Sequence, residues 1–218
     1  MNESQVESKD YCIISCGMLR PELEKLMDDG SIDPIKVLYT PPGLHAIPEK
    51  LEENLLKRLH DARESSPNSR IVVTYGRSCY LEPEEPEKGV DSILRGFGDD
   101  IVRVEGEYGY DMLADIDERQ RISGGRQDKV LWFTAGWLKN WKLVYQRYFG
   151  WDRADANANF PGYYDRIVVL DALGMEEEYS MEKAESILEL FDWTGLEVIF
   201  QPITLDRFRG LLQDAIRR

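Results

Sequence analysis

Short runs of β-branched and aromatic residues alternate along this chain with longer stretches of helical apolar spacing, and that alternation constrains its fold more than any other feature. Residues 11–16 read as a strand closed by Gly17, after which Leu19, Leu23 and Leu26 recur at helical intervals. Residues 35–39 read as a second strand, and Leu51, Leu55, Leu56 and Leu59 mark a helix with Pro48 in its first turn. Further strands are predicted over 71–75, 101–104, 130–134, 167–170 and 196–200. Helices are predicted over 90–97, 137–149, 180–191 (Ser180 as N-cap) and 206–217, with a helical turn over 111–117. Residues 120–128 and 154–162 read as loops.

Strands that are short, apolar and separated by helices argue for parallel pairing with both sheet faces covered. The expected fold is a doubly wound, mostly parallel α/β sheet of about six to seven strands with helices on both faces. The 218 residues fit a single α/β domain over 11–218. Residues 1–10 are polar and without an apolar core, which suits a frayed tail and not a signal peptide. The acidic, proline-rich residues 82–88 read as an exposed surface loop.

Charge narrows the function. Against 27 Lys and Arg stand 41 Asp and Glu, for a net charge of −14. Without a basic face, neither nucleic acid nor an anionic membrane is an expected partner. No apolar run reaches the roughly 20 residues that span a bilayer, and three cysteines form no disulfide framework. A reducing cytoplasm is the expected location.

Ligands of open α/β sheets bind beyond the carboxyl ends of the strands. That edge collects Cys16 and Gly17, the loop 40–45 with His45, the loop 76–80 with Cys79, and the segment 106–112 with Tyr110, Asp111 and Met112. Thr134, Trp137 and Asp171 follow the later strands. Two thiols and an imidazole suit zinc, iron or cobalt, and three protein ligands leave one position open. Against this, buried cysteines often only fill space, as Cys12 inside a strand is expected to do, and a loop histidine often only donates a hydrogen bond. The helical His60 belongs to a solvated face. The aromatics Trp132, Trp137, Trp141, Tyr145, Tyr148, Phe149 and Trp151 form either a helix-to-sheet core or the wall of a flat ligand. There is no P-loop, no dinucleotide fingerprint after the first strand and no nucleophile elbow.

Five segments, residues 14–23, 43–51, 75–79, 134–137 and 164–171, together resemble domain-of-unknown-function family 1638, a group of archaeal and anaerobic bacterial proteins. The likeness runs from about residue 11 to about residue 212. It implies that Cys16, His45 and Cys79 share a site, since the family pattern places Cys, His and Cys there. The pattern's further His-Asp-Cys aligns with Tyr110, Asp111 and Met112, so a fourth ligand is lost or replaced. The resemblance also implies company with corrinoid-dependent methyl transfer, although the Asp-x-His-x-x-Gly motif of corrinoid carriers is absent.

The leading expectation is therefore a metal- or corrinoid-linked accessory protein of anaerobic one-carbon metabolism. Cys16, His45 and Cys79 would be metal ligands, Tyr110, Asp111 and Met112 would complete the pocket, and Thr134, Trp137 and Asp171 would line or rim it. Its partner would be a small molecule or a methyltransferase-system protein. One rival is a metal-free enzyme with Cys79 or Cys16 as nucleophile and His45 as base. Another is a protein-interaction module using the acidic loop or the aromatic helix.

Overall fold

A computed structural model describes residues 10–80, 85, 88–98 and 100–218. The proposed tail but for Asp10, and all of the acidic loop but Glu85 and Lys88, lie outside these residues. In chain order the elements begin β1 (Tyr11–Cys16), α1 (Arg20–Asp28), β2 (Lys36–Thr40), α2 (Pro48–Ser65), β3 (Arg70–Thr74), α3 (Val90–Leu94), β4 (Ile101–Arg103) and α4 (Ile116–Ser123). They continue as β5 (Val130–Phe133), α5 (Ala135–Lys142), α6 (Arg153–Asn159), β6 (Arg166–Asp171), α7 (Glu176–Met181), α8 (Ala184–Thr194), β7 (Glu197–Pro202) and α9 (Asp206–Arg217).

All the ladders among these strands are parallel, as the apolar runs predict. They do not form the expected single sheet. Four strands pair in the order β2-β1-β3-β4 and three in the order β5-β6-β7. The break falls where β5 meets the end of β1. There the Thr134 hydroxyl donates to the Met18 carbonyl (3.0 Å) and the Ala135 N–H to Glu22 Oε1 (2.8 Å), so bonds through side chains join the segments that follow the two strands. A period-two pattern encodes that a segment is a strand but not which edge it joins.

The two sheets nonetheless share their cores. Alternate residues of β1, β3, β5 and β6 fall into two buried clusters. One holds Ile14, Val73, Phe133 and Val169 under α2, α5 and α8. The other holds Ile13, Val72, Trp132 and Val168 under α1 and α9. Helices thus cover both faces. The terminal helix α9 returns from the second sheet to pack on β3 and β4, and Arg70 clamps it by donating to the Ile216 carbonyl (3.0 Å).

Some local expectations are corrected by capping. The predicted loop at 120–128 is half helix: Asp115 caps α4 by accepting from the Glu118 N–H (2.9 Å), and Gly124 ends it at φ 66°. The predicted loop at 154–162 contains α6, closed by a reciprocal Asp152–Asp155 capping box. Ser180 lies inside α7 and caps nothing, because the segment 180–191 is split between α7 and α8. The aromatic helix starts at Ala135 and widens into a π-helical turn over Leu143–Tyr148.

Candidate ligand cavity at the strand ends

From β1 the chain moves to β2 on one side under α1, then crosses back over α2 to β3 on the other side. That reversal parts the loops leaving β1 and β3, and such a switch point is where open α/β sheets bind ligands. A cavity of about 320 Å³ lies there, lined by Cys16 from β1, His45 from the turn after β2 and Cys79 from the turn after β3. The three expected metal ligands therefore line one cavity. They do not stand as a ready-made cluster: among the described residues no three or more His, Cys, Asp and Glu side chains are arranged to hold a metal ion.

Glycines bring the loops together. A Cβ at Gly76 would meet the Glu107 carbonyl oxygen at 2.5 Å, and one at Gly17 would meet the Thr40 carbonyl oxygen at 2.7 Å. Across the cavity wall the hydroxyls of Thr40 and Tyr75 share a short hydrogen bond, and Tyr75 also reaches the Cys16 thiol. Aromatic rings make the remaining wall. Tyr108 and Tyr110 stack at 5.3 Å, and Trp137 lies 5.1 Å from the His45 ring.

Among the described residues no Asp, Glu, Lys or Arg lines this cavity, and burial drives its titratable groups to their neutral forms. Desolvation pushes the Cys79 thiol up to about 12, with the nearby Cys16 thiol adding to the effect. Burial raises Cys16 as well, although the Met18 and Gly43 backbone and Tyr75 approach its sulfur. Desolvation lowers His45 to about 4, so its imidazole is neutral at physiological pH. The Thr74 hydroxyl, in a fully buried residue beside the cavity, has no hydrogen-bond partner among the described residues.

Of the other expected pocket residues, Tyr110, Thr134 and Trp137 line the cavity; Asp111, Met112 and Asp171 do not. Asp111 forms a buried ion pair with Arg119 and accepts from the Glu107 and Tyr108 N–H groups (3.1 and 2.8 Å), which holds the Gly109–Met112 turn. Met112 is fully buried in the core under α1 and α9. Asp171 accepts from the backbone N–H groups of Leu173, Met175 and Glu176, fixing the turn after β6. Sequence reasoning missed Thr74 and Met18 as lining residues. Each looked like core, and only the crevice between β1 and β3 exposes them to an internal space.

Fold and cavity together define a parallel α/β protein with a sulfur- and aromatic-lined cavity at a topological switch point. The chain belongs to the family described as "Protein of unknown function (DUF1638)", whose model matches residues 39–212. The matched span includes His45 and Cys79 and begins after Cys16. No curated protein and no solved structure matches the chain.

Proposed function

We propose that this chain is a binding protein for a soft metal, with Cys16, His45 and Cys79 as its donors. The observation that carries the reading is their convergence, from three separate loops, on one cavity that no charged side chain among the described residues lines. The donor chemistry fits zinc, iron or cobalt: imidazole is ligand-ready when neutral, and a divalent cation offsets the charge of two thiolates. The present arrangement is open, so binding must draw the three donors inward, as binding-coupled ordering does in other metal sites.

A corrinoid is too bulky to be enclosed in about 320 Å³, which is at the small end of ligand pockets. In a corrinoid-linked role, only one edge or axial face of the cofactor would reach the donors. A methyl-transfer partner protein would then present that cofactor. The nucleophile reading is weaker, because a thiol near 12 supplies little thiolate at neutral pH and an imidazole near 4 is only a weak base.

The test is elemental mass spectrometry on anaerobically purified protein, followed by cobalt(II) titration watched through thiolate-to-metal charge-transfer absorption. One metal per chain, abolished in Cys16→Ser, His45→Ala and Cys79→Ser, is the expected result. Wild-type protein that takes up no metal in either measurement overturns the reading.

A further inference from the structure

A second depression, about 840 Å³, shares no lining residue with the Cys16 cavity; Gly17, between Cys16 and Met18 in the chain, lines it. Its cations come from three helices: Arg20 and Lys25 on α1, Arg58 on α2 and Lys139 on α5. Among the described residues Glu24 and Asp28 line it with them, and Asp61 pairs with Arg58 from outside the groove. Four cations against three carboxylates leave a local positive excess on a chain that carries −14 overall.

The two guanidiniums are held in place. Arg20 pairs with Glu24 (2.7 Å) and lies 4.9 Å from the centre of the Tyr39 ring. Arg58 donates to the Tyr39 carbonyl and to Asp61, each at 3.0 Å. The two lysines are exposed and make no ion pair with any described residue, so their charge is available to a ligand. The Tyr39 hydroxyl at the groove wall is buried and has no hydrogen-bond partner among the described residues.

We propose that this groove binds a small multiply charged phosphate, a phosphate ester or pyrophosphate group. One carboxylate would be matched by one lysine, whereas four cations spread over three helices suit several anionic oxygens at once. The overall negative charge would repel such an anion, so binding depends on this local field and weakens as salt screens it. The site is independent of the metal donors and stands or falls without them.

Calorimetric titration of the full-length protein with pyrophosphate tests it. The expected result is one pyrophosphate per chain, bound at least about tenfold more weakly by a Lys25→Gln/Lys139→Gln double variant. Lys36→Gln, outside the groove, should leave the affinity unchanged. Circular dichroism on the double variant, whose replaced side chains are exposed, checks that it folds as the wild type does. No binding of pyrophosphate, an equal loss in Lys36→Gln, or citrate binding as tightly as pyrophosphate would each overturn the assignment.

Discussion

At the thiol of Cys79, burial favours the protonated form so strongly that thiolate is scarce even at pH 8. Iodoacetamide should therefore modify Cys16 and Cys79 at least about tenfold more slowly than a free peptide thiol; faster labelling would restore the nucleophile reading. Two other groups set opposing pH trends in metal-free protein. Glu22 is fully buried, and desolvation raises it from 4.5 to about 7, so the folded state binds an extra proton and stability is lost as pH rises through that window. His45 is lowered from 6.5 to about 4, so stability is lost as pH falls through its window. Each is worth about 3 kcal/mol, and over pH 4.5–6.5 they nearly cancel. In Glu22→Gln, stability measured by urea unfolding should rise with pH over this range; in His45→Asn it should fall. Parallel slopes in the two variants would refute the assignment. At Thr74 the unpaired hydroxyl is a cost without ligand, so Thr74→Val should raise ligand-free stability by up to about 1 kcal/mol in the same assay.

Among the elements, α5 and the turn over Gly17–Leu19 touch through their backbones. A Cβ at Gly136 would stand 1.9 Å from the Met18 carbonyl oxygen, which no rotamer change relieves. Gly136→Ala should cost about 2–4 kcal/mol, read by chemical denaturation, because it forces α5 away from the loop that presents Cys16. Asp115→Ala, which removes the α4 cap, should cost only about 1 kcal/mol in the same measurement. Elements with dense apolar spacing, such as α2 with Leu51, Leu55 and Leu59 buried, were legible in the sequence. α4 and α6 were not, since their few apolar residues give a weak period and their caps carry the signal instead.

Over the whole molecule, charge and topology act separately. The net charge is −14, while among the described residues no charged side chain lines the Cys16 cavity. Metal uptake there must displace protons from raised thiols, so affinity for cobalt(II) should increase with pH between 6 and 8, followed by the same charge-transfer absorption. No helix among the described residues is long and apolar enough to cross a membrane. The sequence by itself determined the strands, their parallel class, the helical cover and the placing of Cys16, His45 and Cys79 at strand ends. Those features follow from local periodicity and from where each apolar run stops. Only the tertiary structure decided that β5 starts a second sheet, that Asp111 and Asp171 hold turns while Thr74 borders the cavity, and that Lys25 and Lys139 share a groove. Each depends on which distant segments meet, and a local pattern of burial carries no record of the partner that buries it.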